Sequence, residues 1–156
     1  MEGLQTIAPP QTIRSLRDAR TGTALAFARS CYDHVAGQLA LHLANALTTQ
    51  GAIAPLVPAQ KGTLLHAEHP LLAALGVEVP ARNGTSRRPM VRGCLDWTER
   101  QPHLAGKLGA AVLTALTSRA WLQPTSSRAL HLTDDGRRNL GHLLNIDMTA
   151  LRNPTN

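Results

Sequence analysis

Aromatic residues, cysteines and lysines are all scarce in this chain. Aromatic side chains make up 3% of the 156 residues, so the core must come mainly from the abundant Leu and Ala residues, which favour helices. A chain of this length suits one domain, or two very small ones that share a core. The two cysteines, Cys31 and Cys94, are too few for a disulfide framework, which predicts a reduced, cytoplasmic protein.

The sequence also lacks the signatures of membrane proteins and of common enzyme classes. No run reaches the roughly 18 apolar residues that a membrane-spanning helix needs, and the N-terminal stretch has neither the apolar segment nor the cleavage site of a secretory signal. There is no Gly-rich phosphate loop, His-Glu-x-x-His motif or nucleophile elbow. The adjacent acids Asp134 and Asp135 would point apart on a helix. The sequence therefore predicts that the chain is not an enzyme and has no membrane partner.

The charge balance is strongly basic, with 16 Lys and Arg residues against 10 Asp and Glu residues. Such a balance favours an anionic partner such as nucleic acid. Nearly all the basic residues are Arg, however, and in an Ala-rich chain a GC-rich coding bias raises the Arg content without any ligand. Four arginines are candidates for direct DNA contact, with ordinary solvated side chains as the alternative: Arg119, Arg128, Arg137 and Arg138.

Hydrophobic periodicity and turn residues predict an alternation of helices and hairpins. A basic, Gly/Pro/Ser-rich linker is expected at 80–93, a flexible lead at 1–12 and a frayed tail at 151–156. The predicted helices cover 13–31, 34–49, 69–77, Pro102 to about 118, and 134–144, and the predicted hairpins pair 52–58 with 63–67 and 121–124 with 129–133.

An internal repeat organises these elements. Residues 34–53 align without gaps with 103–122 and share seven identities. With the hairpin loop four residues shorter in the second copy, the hairpin and the following helix continue in the same register. The shared Gly37 and Gly106 would each cost about 1 kcal/mol inside a helix. We therefore expect the two equivalent helices to cross closely at these glycines, with two histidines at matched positions near the crossing.

The repeat predicts the fold class. The expected architecture is α+β and mostly helical, with two winged-helix-like helix–hairpin–helix repeats that share one core. The first repeat, with its leading helix, would cover 13–79 and the second 94–150.

Two cysteines and two histidines form the main chemical candidate. Cys31 and His34 have the i, i+3 spacing of a metal-binding pair, and Cys94 with His103 would complete a Cys₂His₂ set for zinc if the two halves face each other. Two alternatives remain open. The cysteines are small buried apolar residues and the histidines hydrogen-bond across the core, or Cys31 and Cys94 form a redox switch.

Four residues beside these ligands are candidates for an effector pocket: Tyr32, Asp33, Asp96 and Trp97. The two acids follow the two cysteines at the same distance and could orient a histidine or bind an effector. The alternative is that both acids cap helices or form turns.

Several stretches of the sequence resemble a known family. Residues 116–140, LTSRAWLQPTSSRALHLTDDGRRNL, resemble the wing and closing helix that follow the recognition helix of winged-helix proteins. More specifically, ARSCYDHVAGQLALHLANAL (28–47), CLDWTERQPHLAGKLGAAVLTAL (94–116) and RALHLTDDGRRNL (128–140) resemble the C-terminal part of ArsR-type helix-turn-helix transcriptional regulators. The likeness covers about residues 13–145, nearly the whole chain.

The resemblance implies an effector-sensing or dimerisation region that couples ligand, metal or thiol state to DNA binding. In that family a DNA-reading winged helix precedes the segment matched here, so the chain would be a fragment, a truncated gene model or a stand-alone partner subunit. DNA would then be reached through an attached or partner winged-helix domain, and a homodimer is expected. The alternative is a direct DNA-binding winged-helix module that uses the four arginines.

Overall fold

The computed structural model describes residues 16–82, 84–96 and 99–148. These residues contain five helices and three two-stranded antiparallel hairpins. The α+β class predicted from the sequence is confirmed. The predicted lead 1–12 and tail 151–156 lie outside the described residues. In chain order the elements are α1 (Leu16–Phe27), β1 (Arg29–Cys31), β2 (His34–Ala36), α2 (Gln38–Thr49), α3 (Pro70–Leu75), β3 (Arg92–Leu95), β4 (Pro102–Ala105), α4 (Gly106–Ser118), β5 (Leu122–Pro124), β6 (Leu130–Leu132) and α5 (Asp134–Leu144).

The two longest apolar helix faces, on α2 and α4, line the core. Both stripes follow the 3.6-residue period that the sequence predicts, and burying each such side chain contributes about 1.5–3 kcal/mol. No helix in the described part of the chain is long and apolar enough to cross a membrane. The stripes consist of Leu39, Leu43 and Leu47 on α2, and Leu108, Val112 and Leu116 on α4.

The starts of these two helices differ from the sequence-based prediction. The predicted helices at 34–49 and from Pro102 begin instead as the strands β2 and β4. Gly37 follows β2 with φ +91°, and Gly106 follows β4 with φ +82°. This left-handed region suits glycine and turns each strand directly into a helix. The first predicted helix, 13–31, likewise ends at Phe27, and β1 follows it.

Both glycines lie against backbone, but the partner differs from the one we expected. A Cβ at Gly37 would lie 2.8 Å from the carbonyl oxygens of Ala26 and Phe27. A Cβ at Gly106 would lie 2.7 and 2.8 Å from those of Pro89 and Met90. The close backbone approach is therefore real, but the segment before each hairpin makes it, and the expected crossing of two helices does not explain it.

The hairpin predicted at 52–58 and 63–67 is reduced to one isolated bridge between Ile53 and Leu64. Prolines at 55 and 58 have no N–H to donate, which limits a regular ladder. The segment pairs with β3 instead: the N–H of Ala59 donates to the carbonyl of Gly93 at 2.8 Å, and the N–H of Gly93 donates to that of Gln60 at 3.0 Å. The predicted linker 80–93 consequently ends inside β3.

The C-terminal elements agree with the prediction. The hairpin β5–β6 forms, and α5 covers 134–144 as expected. The Thr133 hydroxyl caps α5 by accepting from the N–H of Gly136 at 3.0 Å. The short helix α3 also forms, with Pro70 in its first turn.

Each of the hairpins β1–β2 and β3–β4 packs against the helix that follows the other hairpin as well as against its own. In this sense the hairpins are exchanged between the two long helices. Strand β2 contacts α4 as well as α2, β4 contacts α2 as well as α4, and β2 and β4 also touch. Strand β1 lies beside β6, since the N–H of Ser30 donates to the carbonyl of Arg128 at 2.9 Å. This exchange brings residues far apart in the sequence to one place between the two hairpins.

Candidate metal centre

Strand register pairs each cysteine with a histidine. Cys31 lies opposite His34 in β1–β2, and Cys94 lies opposite His103 in β3–β4. Directly opposite residues on antiparallel strands have Cβ atoms about 4.5–5.5 Å apart and share a face. The helical i, i+3 spacing expected for the first pair is therefore replaced by a cross-strand pair, and the second pair has the same arrangement.

The two hairpins bring all four side chains together. The Sγ atoms of Cys31 and Cys94 lie 4.0 Å apart, and the Nε2 atoms of His34 and His103 lie 3.0 Å apart. One potential ligand atom from each residue lies within 4.8 Å of all the others. The cluster could therefore bind a metal ion.

The spacing fits the geometry of tetrahedral zinc. With Zn–S distances of about 2.3 Å and Zn–N distances of about 2.0 Å, the edges of a tetrahedron are about 3.8 Å between sulfurs and about 3.3 Å between nitrogens. The observed S–S and N–N distances differ from these values by a few tenths of an ångström. The sulfur–nitrogen edges of such a tetrahedron are about 3.5 Å, and the ligand atoms of the cluster lie up to 4.8 Å apart, so the side chains must close by about 1 Å to bind the ion.

Both imidazole rings are buried, with His34 5% and His103 1% exposed. Without a metal, a hydrogen bond between two Nε2 atoms requires one ring protonated at Nε2 and the other deprotonated there. Nδ1 of His103 is buried and has no hydrogen-bond partner within the described residues. A metal ion would accept a lone pair from both Nε2 atoms and so remove the need for opposite tautomers.

Burial also sets the protonation of the cluster. It lowers the pKa of His34, and together with the neighbouring His34 it lowers the pKa of His103 to about 4. Burial, with the adjacent Cys31, raises the pKa of Cys94 to about 11. At neutral pH both histidines are thus ready to bind a metal, whereas Cys94 must release a proton on binding.

Asp33 and Arg88 support His34 from behind. Oδ1 of Asp33 lies 3.5 Å from Nδ1 of His34, a long contact, and Arg88 donates two hydrogen bonds to the carboxylate at 2.5 and 2.8 Å. Arg88 lowers the pKa of Asp33, so this carboxylate remains charged. A carboxylate behind a ligating imidazole fixes the orientation of the ring and raises its basicity.

Asp96 is buried on the other side of the cluster. Both its oxygens accept from Nη2 of Arg29 at 3.3 Å, and Oδ2 accepts from the N–H of Gly37 at 3.0 Å. The second hairpin thereby places a negative charge at the N-terminus of α2, where the helix dipole favours one. Asp96 therefore lies at a helix start, as the alternative that both acids cap helices or form turns expects. An effector role for Asp96 stays a prediction.

The other residues proposed for an effector pocket are separated from Asp96. Tyr32 occupies the β1–β2 turn and is 92% exposed, with the Arg88 guanidinium 5.9 Å from its ring centre. Asp33 lies in the same turn, half-buried. Trp97 lies outside the described residues.

An open groove of about 440 Å³ leads to the cluster and was not foreseen from the sequence. Cys31, Cys94 and His103 lie along it, and Arg29 and Arg128 also line it. Arg128 reaches this place because β6 lies beside β1, a tertiary contact that leaves no mark in the local sequence. Solutes can therefore reach both sulfurs, which are half-buried.

The four arginines proposed to contact DNA have different surroundings. Arg119 donates to the carbonyl of Ala74 at 2.7 Å and lies 5.0 Å from the Trp121 ring centre, so it joins α3 to the end of α4. Arg137 donates to the carbonyl of Met148 at 3.1 Å, and Arg138 pairs with Asp135. Arg128 is exposed in the β5–β6 turn. Direct DNA contact by these side chains stays a prediction.

A curated relative aligns with most of this chain. The chain is 34% identical over 152 residues to the uncharacterized HTH-type transcriptional regulator YdfF of Bacillus subtilis (strain 168). The alignment covers 94% of this chain but 64% of the relative, so the chain spans less than two thirds of the relative's length. The relative is named as a regulator and not as an enzyme, in agreement with the expectation from the sequence. No protein-family model and no solved structure matches the chain.

Proposed function

We propose that this chain is the sensing region of an ArsR-like HTH-type transcriptional regulator, and that it couples metal or thiol state to DNA binding. The observation that carries the proposal is the four-residue cluster, with two donor atoms from each of two hairpins within 4.8 Å. The similarity to an HTH-type regulator supports the regulatory setting. The resemblance of the two Cys-containing stretches to ArsR-type regulators supports the finer assignment.

Zinc is the metal that the donor set fits best. Two thiolates and two imidazoles in a tetrahedron are typical of structural zinc sites, and softer thiolate ligands disfavour Mg²⁺ and Ca²⁺. Cys31, His34, Cys94 and His103 would hold the ion, which would supply a cross-link between the hairpins. Because all four positions are protein ligands, we propose a sensing or structural role and no hydrolytic chemistry.

The cluster residues of β2 and β4 lie a few residues before the starts of α2 and α4. Gly37 follows β2 and Gly106 begins α4, so a shift of either hairpin moves the first turn of a long helix. Asp96 links the second hairpin to the start of α2 through the N–H of Gly37. We propose that binding at the cluster fixes the position of one hairpin relative to the other. This would change the positions of α2 and α4 relative to DNA or to a partner DNA-binding domain.

Thiol oxidation would use the same residues in a mutually exclusive way. To form a disulfide, the thiols of Cys31 and Cys94 would pass two electrons and two protons to an external oxidant such as a peroxide or a small disulfide. The sulfurs would close from 4.0 Å to about 2.05 Å, and the metal would lose both sulfur ligands. The groove gives oxidants access to both sulfurs. Metal-bound and disulfide forms would then be two alternative signals at one centre.

The partners follow from the proposed role. We propose DNA as the final partner, reached through an attached or partner winged-helix domain, with a homodimer in the cytoplasm. The equivalent hairpins, each with a Cys/His pair and a positive-φ glycine before a long helix, also support the proposed duplication. These hairpins precede the first helix of the helix–hairpin–helix unit that the sequence predicts.

Metal content and its dependence on the four ligands test the proposal. Purified protein, dialysed against metal-free buffer, is expected to retain one zinc ion per chain by elemental analysis. Cys31→Ser and His103→Gln should each lose most of the zinc. His66→Gln is the matched control, because His66 is exposed and lies outside the cluster. Equal zinc in all four proteins, or none in the wild type, would contradict a metal centre at these residues.

Sensing demands more than binding, and hydrogen exchange separates the two. Zinc removal should deprotect amides in the first turns of α2 and α4 more than those of α5, which contributes no residue to the cluster. Deprotection confined to the two hairpins would mean that the metal stabilises the site without signalling through the helices.

A further inference from the structure

A second pocket, of about 320 Å³, lies beyond Asp33 on the side of Arg88. Arg82 and Arg88 line it, together with Lys107 in the first turn of α4. The hydroxyl-bearing residues Thr63 and Ser86 also line it. The pocket therefore combines three cations with two hydroxyl groups around one concave space, which is a donor-rich environment for an anion.

The positive charge of this pocket is only partly neutralised. None of the described residues that line it is acidic, and Asp33 pairs with Arg88 from outside the pocket. Within the described residues, no carboxylate forms an ion pair with Arg82 or Lys107. Among the described residues, Arg82 forms one side-chain hydrogen bond, from Nη2 to the carbonyl of Leu64 at 3.1 Å, which holds the guanidinium in place and leaves its other N–H groups available.

We propose that this pocket binds the phosphate group of a small anionic ligand. Arginine forks and lysine ammonium groups are the usual partners of phosphate oxygens, and hydroxyls complete such sites. The volume lies at the lower end of the range for small-molecule pockets, which is about 300–1,000 Å³. A small phosphorylated solute fits a concave space of this size better than the convex backbone of a DNA duplex does.

The pocket shares Arg88 with the metal cluster. Arg88 donates two hydrogen bonds to Asp33, and Asp33 contacts Nδ1 of His34. A phosphate that recruits Arg88 loosens its hold on Asp33, and so the support behind His34. Loss of such outer contacts costs metal affinity, typically about 10–100-fold for complete removal. Phosphate and zinc should therefore oppose each other; this coupling, though not the pocket itself, rests on the proposed metal centre.

Calorimetric titration of metal-free protein with inorganic phosphate tests the pocket directly. Wild type should bind phosphate, and Arg82→Gln and Lys107→Gln should each weaken binding by about tenfold, because each removes a charge-assisted hydrogen bond. Arg87→Gln is the control. It removes one positive charge from the exposed loop that also contains Arg82, but Arg87 does not line the pocket. No binding by the wild type, or equal weakening in all three variants, would overturn the proposal.

A parallel titration with a short duplex DNA of unrelated sequence distinguishes the source of the phosphate. If Arg82→Gln and Lys107→Gln weaken DNA binding and leave phosphate binding unchanged, the pocket is part of a DNA surface and the small-ligand proposal is wrong. Weakening of phosphate binding alone supports the proposal.

The coupling is measured separately, with free zinc set by a chelator buffer so that zinc–phosphate complexes do not interfere. Saturating phosphate should weaken zinc binding by about three- to tenfold, and zinc should weaken phosphate binding by the same factor. Arg88→Gln should abolish this effect. Independent binding of zinc and phosphate would reject the coupling. Absence of zinc binding would refute the metal centre and with it the coupling. The phosphate titration of the metal-free protein tests the pocket in either case.

Discussion

The charge of His103 depends strongly on its surroundings. Its ring is 1% exposed, and burial beside His34 lowers its pKa to about 4. The unfolded chain binds a proton at this ring near pH 6.5, so the folded, metal-free state binds fewer protons between these two values. The stabilisation from a neutral His103 is therefore complete above about pH 6.5 and is lost as the pH falls toward 4.

Urea unfolding of chelator-treated protein at pH 7.5 and pH 4.5 measures this effect. Wild type should lose about 2–3 kcal/mol more of its unfolding free energy than His103→Gln over this range, since one pKa unit corresponds to about 1.4 kcal/mol. Equal losses in both proteins would show that His103 does not titrate in this way.

Gly37 gives a second prediction at the residue scale. Gly37→Ala would place a methyl group 2.8 Å from two backbone carbonyl oxygens at φ +91°, so we expect the unfolding free energy to fall by about 2 kcal/mol or more. Thermal or urea unfolding provides the measurement.

Two other glycines serve as controls for this substitution. Gly51→Ala has a similar φ of +83° but open space around it, so only the backbone strain of about 1 kcal/mol applies. Gly22→Ala, in α1 with open space and no positive φ, should leave stability unchanged or raise it by up to about 1 kcal/mol. A Gly37→Ala protein as stable as Gly51→Ala would contradict the close backbone contact.

At the scale of elements, helix α2 depends on the other half of the chain for its first turn. Its N-cap, Gly37, has no side chain to accept from the first-turn N–H groups, and Asp96, from beside β3, accepts from the N–H of Gly37 itself. The same carboxylate pairs with Arg29, the first residue of β1. One buried acid thus joins a strand, a hairpin and a helix start.

Asp96→Asn should lower the unfolding free energy by about 3 kcal/mol, because it leaves the charge of Arg29 without its buried partner. Hydrogen exchange should rise first at the start of α2. Asp135→Asn is the control: its exposed pair with Arg138 should contribute less than about 0.5 kcal/mol. Similar losses in the two variants would mean that the buried pair has no special structural role.

The elements that the sequence predicts well are those whose signals are local. Thr133, two acids in the first turn and a regular apolar stripe define α5 from neighbouring residues alone. The starts of α2 and α4 do not follow from local signals, because His34–Ala36 and Pro102–Ala105 continue the apolar pattern of the helices and their strand pairing depends on partners elsewhere. Gly37 and Gly106 marked a close contact correctly, but sequence could not identify which backbone approaches them.

The candidate site also combines features that the sequence predicts with features that depend on tertiary packing. The repeat predicted that His34 and His103 occupy matched positions, and their rings do meet. The cross-strand pairing of each histidine with a cysteine, the support from Arg88 and the groove all depend on the exchange of hairpins between helices. These features arise from tertiary packing, which a single sequence does not encode in any local pattern.

At the scale of the whole molecule, the two exchanged hairpins meet at the Cys/His cluster. A metal bound only by the folded state stabilises it by an amount that grows with the logarithm of free metal concentration. We therefore expect zinc to raise the midpoint of thermal unfolding of the wild type, and Cys31→Ser to show little increase under the same conditions. Scanning calorimetry with defined free zinc gives this comparison, and equal shifts in both proteins would place the zinc elsewhere.

X-ray absorption at the zinc edge tests the central claim most directly, because it reports the ligand atoms themselves. The account predicts two sulfur ligands at about 2.3 Å and two imidazole nitrogens at about 2.0 Å in the wild type. A spectrum with only oxygen and nitrogen neighbours, or with a sulfur contribution that survives in a protein lacking both Cys31 and Cys94, would contradict a metal centre built from the two hairpins.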